Sequence, residues 1–565
     1  MNPRHFAFWP KGMPRHLTIP QTHLFHNVEV SAARYPDKPF LIFYDQALTF
    51  SEFKRQAEAI AGFLQQDCGV RRGDRVLLDM QNSPQFVLAY YGILRAGAVV
   101  VPINPMNLTH ELAHYVQDSG ARVAFVGQEL FAQMRPLLDP GPGAEADRLR
   151  HIIVAAYSDY ISPTPRIAVP AFVAAPREPL TAPGVTQWVD MLAQRRAPAP
   201  LQAGPDDLCV MPYTSGTTGR PKGCMHTHRS VMSTAVGGVE WLRMPKDTVA
   251  LAVLPFFHVT GMQGGMNASL YNGNTLVLLP RWDRDAALDC VQRYQVGTWQ
   301  AIAAMVVDFL MHPRIAEYDL SSVWNMTGGG AAMPDAVAKK LQDLCGITYI
   351  EGYGMTETMA PTHINPPHRP KRQCLGVPLF DVDARIIDPQ TQQELPAGEV
   401  GEIIVHGPQV MQGYWNQPQA TTEAFITLDG RRFLRTGDLG RVDEDGYFFM
   451  VDRLKRMINA SGYKVWPAEV ETLMYQHPDI AEACVVAAKD AHRGETVKAF
   501  VVLKPGARER VNEQDIIDWA HHHMAAYKSP RIVEFVDSLP KSGTGKIQWL
   551  MLQEREAARQ AAAQA

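Results

Sequence analysis

Eleven residues, Tyr213–Gly223 (YTSGTTGRPKG), hold three glycines, three threonines, a serine and a lysine. Gly216, Gly219 and Gly223 permit φ > 0 and let backbone N–H groups approach an anion closely. Thr214, Ser215, Thr217 and Thr218 add hydroxyl donors, and Lys222 adds a counter-charge. The chemistry this stretch suits is phosphate binding. It is not a Walker A loop, because Arg220 and Pro221 separate Gly219 from Lys222. Taken alone, the same composition would also serve a plain surface loop.

Four further segments follow in order: YGMTE (Tyr353–Glu357), RTGD (Arg435–Asp438), DRLKRMINASGYKVWPAEVE (Asp452–Glu471) and PKSGTGK (Pro540–Lys546). With them the chain resembles the acyl-adenylate-forming superfamily, which includes acyl-CoA synthetases, luciferases and the adenylation domains of peptide synthetases. The resemblance runs from about Thr49 to Gln548. Its wording is similar to that of bacterial long-chain fatty-acid–CoA ligases.

The resemblance implies a two-step ligase. A carboxylic acid attacks the α-phosphate of ATP to give acyl-AMP and pyrophosphate, and coenzyme A then takes the acyl group. Negative charge gathers around the phosphates and must be spread. By this likeness Thr214, Ser215, Gly216, Thr217, Thr218 and Gly219 hold the β- and γ-phosphates, with Lys222 as counter-charge. Glu357 would ligate Mg²⁺, a hard cation suited to carboxylate oxygen, and Thr356 would donate to the α-phosphate. Tyr353 would stack on adenine, with Gly330, Ala331 and Ala332 forming the slot. Glu351, Gly352, Gly354 and Met355 complete the nucleotide set. Asp438 would accept both ribose hydroxyls, and Arg453 would add a second ribose contact.

Lys546 is carried over as the catalytic lysine that bridges carboxylate and α-phosphate. The family's usual arginine just beyond is replaced here by Trp549. Lys455 matches the hinge, and Ser461 and Gly462 open the loop that enters the site after adenylation. His258, Gly329 and Gly354 are assigned to the acyl and thiol region. Read singly, His258 could equally be a buried, hydrogen-bonded histidine, and His521–His523 reads as a solvated helix face with no metal spacing.

These residues need a scaffold. Arg75–Met80 and Arg122–Gly127 read as buried strands, and the stretch from Phe86 as a helix, a rhythm that points to layered α/β structure. Ser162–Gly184, rich in proline and alanine, reads as a surface excursion, and "APAPLQAGPDD" as a connector. Closely spaced strands from about Asp381 suggest a β-rich subdomain. The expected fold is α/β: a large N-terminal domain, 1–452, of layered α/β subdomains plus the β-rich one, and a small mobile α+β C-terminal domain, 453–565, hinged at Lys455. The last residues, Glu554–Ala565, read as a fraying helix or tail.

Composition fits a chain that buries a core, with 46% hydrophobic and 20% charged residues. A net charge of −4 without a long basic run offers no footprint for nucleic acid. Seven scattered cysteines without a C-x-x-C fit reduced thiols. No transmembrane segment or signal-peptide core is legible, and the expectation is a cytoplasmic enzyme; the resemblance also admits a homodimer. A P-loop kinase is argued against by the failed Walker pattern, and a non-catalytic relative by the presence of both Lys546 and Glu357. A peptide-synthetase adenylation domain would place an aspartate near His258, where Phe256-Phe257-His258 has none. The expected acid is a medium- to long-chain fatty acid, since Phe256–Asn267, Trp299–Leu310 and Asn325–Met333 are rich in Gly, Ala, Val and Met with few polar anchors. The alternative is an aryl or arylalkenoic acid.

Overall fold

The computed structural model describes residues 4–139, 148–214, 220–330, 333–460, 463–490, 494–541 and 547–564. It resolves into two compact units. The first comprises Met1–Ala384, Val405–Leu434 and Asp445–Tyr447, and the second Arg385–Ile404, Arg435–Glu444 and Phe448–Ala565.

The first unit is layered α/β. One sheet runs, edge to edge, His226–Thr227, Leu208–Val210, Val99–Pro102, Arg75–Asp79, Val123–Gly127, His151–Ala155 and Val185–Gln187, parallel throughout except at its first pair. A nine-stranded sheet has a parallel centre, in which Tyr349–Met355, Asn325–Gly329, Thr298–Gln300, Val249–Ala252 and Thr275–Leu278 lie side by side. The near-continuous apolar runs of these strands suit burial on both faces. The helix expected from Phe86 begins at Pro84, because the Ser83 hydroxyl caps the Phe86 N–H at 3.1 Å and proline at the first helical position sacrifices no bond.

Ser162–Gly184 is less of an excursion than its composition suggests. Ile167 and Val173 are buried, and Ala171–Ala174 forms a short helix. Among the described residues no helix is long and apolar enough to cross a membrane. None of the seven cysteines is in a disulfide.

In the second unit a sheet joins Ile458–Ala460, Tyr463–Val465, Ile480–Asp490, Gly494–Leu503 and Ile532–Phe535. The expected helix over His521–His523 is Glu513–His523, where His522 and His523 each meet the carbonyl four residues back and stay exposed. The tail is a helix, Trp549–Gln564. It is anchored by a buried ion cluster: Lys498 Nζ lies 2.6 Å from both Glu534 and Glu556. A lysine with no solvent exposure needs such partners.

Candidate active site

In the first unit the ends of the glycine-rich loop are paired. Tyr213–Thr214 and Lys222–Gly223 form an antiparallel ribbon with Lys222 opposite Thr214. Ser215, Gly216, Thr217, Thr218 and Gly219 lie outside the described residues, as do Ala331, Ala332, Ser461, Gly462 and Lys546. One helix, Thr109–Ser119, braces both flanks of the loop. The Tyr213 hydroxyl donates to Asp118 at 2.6 Å, and His114 Nε2 donates to the Pro221 carbonyl at 2.9 Å. A cavity of about 340 Å³ opens beside Arg220 and Lys222, bounded by His114, Gln117 and Gln417.

The YGMTE segment ends a central strand and turns sharply. Tyr349–Met355 is β, and Thr356–Thr358 is a single 3₁₀ turn. Glu357 is 6% exposed and accepts a hydrogen bond from the Tyr414 hydroxyl at 2.9 Å. The Tyr414 phenol is pushed well up, by burial first and then by the Glu357 carboxylate, so it remains a donor. Lys222 Nζ stands 5.1 Å from the centre of the same Tyr414 ring. Tyr414 therefore touches both the charge expected for phosphate and the carboxylate expected for the metal.

His226 supports the turn from behind, with Nε2 donating to the Thr356 carbonyl at 2.8 Å. Burial lowers its pKa to about 4, which keeps the ring neutral; the Thr356 contact acts the other way. Tyr353 is half-buried, with its ring 5.6 Å from that of His363. Gly329 pairs with Gly352, and a Cβ on Gly329 would stand 2.4 Å from the Gly352 carbonyl oxygen, so only glycine fits. Gly330 and Gly354 are exposed, and Met355 is half-buried. The buried Glu351 carboxylate accepts the Met333 N–H at 2.9 Å and so serves the backbone beyond the glycine run.

His258 is exposed, which removes the buried-histidine reading. Its segment is held by buried Asn82, whose side chain bonds the Leu254 carbonyl at 3.0 Å and the Phe256 N–H at 2.8 Å. Beyond His258 the chain forms a π-helix, Gly261–Asn267, a geometry frequent at functional sites. The region is more polar than its composition suggests. Buried Gln263 donates to Thr234 at 2.6 Å, and Tyr91 donates to Asn267 at 2.6 Å.

In the second unit Asp438 and Arg453 are cross-strand partners, with Arg453 Nε 3.1 Å from Asp438 Oδ1. Glu402, 1% exposed, holds the RTGD segment by accepting from Arg435 and from the Gly437 N–H at 3.1 Å. Lys455 lies in the 3₁₀ turn Leu454–Arg456. The Trp549 ring that replaces the family's arginine lies 5.7 Å from the Arg456 guanidinium. Tyr414, His226, Asn82 and Glu402 carry no motif of their own; only the residues they hold are marked in the sequence.

Parallel strands whose carboxyl ends carry a glycine-flanked loop and a buried carboxylate are suited to nucleotides, and the chain belongs to the AMP-binding enzyme family. That family's model matches residues 28–415, and the model of the AMP-binding enzyme C-terminal domain matches 469–546. A long-chain-fatty-acid–CoA ligase of Bacillus subtilis is 35% identical over 559 residues, 97% of each chain. A feruloyl-CoA synthase of Amycolatopsis is 34% identical over 508 residues, 89% of this chain and 92% of that one. Among solved structures, ATP-bound MatB from Rhodopseudomonas palustris superposes with a TM-score of 0.81 at 27% identity, covering 95% of this chain and 99% of that one. The protein is an AMP-forming acyl-CoA synthetase.

Proposed function

We propose that the enzyme activates a fatty acid of medium to long chain in the cytoplasm and delivers it to coenzyme A for lipid metabolism. The observation that carries this reading is the 35% identity to a long-chain-fatty-acid–CoA ligase across 97% of both chains. Buried Met262 and Met266 along the π-helix support it, since methionine adapts to flexible alkyl chains. The identity to a feruloyl-CoA synthase supports a second reading, an arylalkenoic acid.

In the first step the acid's carboxylate oxygen attacks the α-phosphorus and pyrophosphate leaves. Lys222 and the loop from Thr214 to Gly219 take the charge of the leaving phosphates, while Lys546 aligns carboxylate and α-phosphate. Thr356 donates to the α-phosphate; Tyr353, with Gly330, Ala331 and Ala332, holds adenine; Asp438 and Arg453 hold ribose. Glu357 suits Mg²⁺: its buried carboxylate is oriented by the Tyr414 hydroxyl at 2.9 Å, and Mg²⁺ is usually held by one or two carboxylates plus substrate phosphates. When bound, that ion supplies charge neutralisation at the phosphates. In the second step the thiol sulfur attacks the acyl carbon and AMP departs. A pivot at Lys455 brings in Ser461 and Gly462, while His258 and Gly329 border the acyl carbon.

Pyrophosphate release with octanoate, dodecanoate, palmitate, benzoate and a hydroxycinnamate, with and without CoA, tests the reading. The fatty-acid assignment expects kcat/KM to climb with chain length, by roughly 0.8 kcal/mol per buried methylene until the pocket ends. A higher value for either aromatic acid than for all three fatty acids would overturn that assignment and leave the ligase chemistry standing.

A further inference from the structure

Thr298 and Asn325 are register partners on neighbouring parallel strands, and the Asn325 amide donates to the Thr298 hydroxyl at 3.0 Å. Two residues further toward the carboxyl ends, on the same face, come the next partners, Gln300 and Thr327. Here the polar atoms are not satisfied. Among the described residues, the buried Gln300 Oε1 and Thr327 Oγ1 have no hydrogen-bond partner, and Thr327 is only 7% exposed.

Trp299, between them in sequence, points to the other face, stacked on Trp282 at 5.4 Å and packed on Phe309 at 5.2 Å. The face carrying Gln300 and Thr327 is turned toward the π-helix that follows His258. Gly264 of that helix leaves room for the Gln300 amide: a Cβ there would stand 1.8 Å from its nitrogen. The polar groups of this helix, Gln263 and Asn267, already bond each other at 2.7 Å and so do not serve the pair. A buried acceptor and a buried hydroxyl left unpaired side by side are costly to a fold unless something else completes them.

We infer that Gln300 and Thr327 are specificity-determining residues that select an acid carrying a hydroxyl on its acyl body. Such a hydroxyl donates to Gln300 Oε1 and accepts from Thr327 Oγ1, completing both groups at once. The inference deepens the acyl-CoA ligase reading and rests on it. It names a shared chemistry with two sources, a hydroxylated fatty acid or a hydroxylated arylalkenoic acid. An acid lacking the hydroxyl leaves both protein groups unpaired, which lowers its kcat/KM below that of its hydroxylated counterpart.

The test compares matched pairs by CoA-thioester formation: 4-hydroxycinnamate against cinnamate, and 12-hydroxydodecanoate against dodecanoate. In at least one pair the hydroxylated acid has the higher kcat/KM by about tenfold or more, and that pair identifies the source. Gln300→Leu and Thr327→Val each collapse the ratio toward one. The unliganded variants also melt at or above the wild-type temperature, because each removes an unpaired buried group rather than a bond. The inference is overturned if neither hydroxylated acid is preferred, or if the preference survives Gln300→Leu. It is equally overturned if both variants melt several degrees lower, which would make the pair structural. Failure of all four acids with the wild type would count against the ligase reading instead, and the melting comparison then decides the pair alone.

Discussion

Replacing Tyr414 with Phe removes one oxygen from the centre of the candidate site and leaves the ring. The ring keeps its place 5.1 Å from Lys222 Nζ, so the change isolates the 2.9 Å bond from the phenol to Glu357. Hydrogen bonds to charged groups contribute about 1.5–3 kcal/mol. Because Glu357 is 6% exposed, water replaces that donor poorly. At about 1.4 kcal/mol per tenfold, the loss corresponds to roughly 10- to 150-fold, in line with the effect of removing partners that orient metal ligands. The assay is pyrophosphate release at saturating ATP and acid, titrated with Mg²⁺. The half-saturating concentration should rise by about tenfold or more, while the protein melts normally. Tyr414→Ala, which also removes the ring beside Lys222, should raise KM for ATP as well. A Tyr414→Phe enzyme whose Mg²⁺ requirement moves less than about twofold would refute the role given to Glu357.

Lys546→Ala should lower acyl-AMP formation by roughly 10²- to 10³-fold, a typical cost of losing one transition-state contact. Thioester formation from supplied acyl-AMP should fall far less, and an equal fall in both half-reactions would contradict the assignment. Lys455→Pro fixes φ near −65°, so adenylation should persist while CoA transfer fails; normal overall turnover would count against a pivot there. His226→Gln tests acid stability. Burial lowers His226 to about 4, and His228 and His363 to about 3. The unfolded chain therefore binds more protons below about pH 6.5, and stability present above that pH is lost as pH falls toward the folded values. For His226 alone the loss reaches about 3 kcal/mol by pH 4. The drop in melting temperature between pH 7.5 and 4.5 should be smaller in the variant, and an unchanged drop would exclude His226 as a contributor.

The reaction class was legible in the sequence because the motifs that carry the family resemblance are short contiguous runs. YGMTE needs only a strand end and a 3₁₀ turn to present Tyr353 and Glu357 together. The α/β layering was legible for a similar reason, since runs such as Arg75–Asp79 are apolar enough to declare a buried strand. What holds those runs in place was not legible. Tyr414 lies 57 residues from Glu357, His226 lies 130 from Thr356, and Asn82 lies 172 from Leu254. No local pattern marks such partners. The anchoring of the alanine-rich tail was hidden for the same reason, as Lys498 meets Glu556 from 58 residues away. The polar pair on the central strands was hidden because composition counts polar residues and takes no account of which are satisfied. Gln300 reads as a single polar residue in an apolar run until Thr327 is seen beside it.

The turn proposed as the pivot is tied on both sides to one helix, Pro467–Met474. Before the turn, the buried Asp452 carboxylate accepts the Ala468 N–H at 2.7 Å and the Arg453 N–H at 2.6 Å. After it, Arg456 pairs with Glu471 of the same helix and donates to the Val485 carbonyl at 3.2 Å. On the proposed pivot, a rotation centred on Lys455 carries these flanks apart, so the bond from Ala468 to Asp452 and the 3.8 Å contact of Arg456 with Asp452 are lost while the Arg456–Glu471 pair travels intact. Burial raises the Asp452 pKa, against the attraction of Arg456 and the two N–H bonds, and an Asp452 carboxylate stripped of a donor is costlier still. A bond of this kind contributes about 1.5–3 kcal/mol, enough to hold more than nine-tenths of the enzyme in one arrangement. On the proposed pivot, passage to the other arrangement needs a ligand that shifts the balance by a comparable amount, because a ligand moves an equilibrium only by its differential affinity for the two states. On the same proposal the carboxylate of Asp452, through its bond from the Ala468 N–H, sets how firmly this arrangement is held.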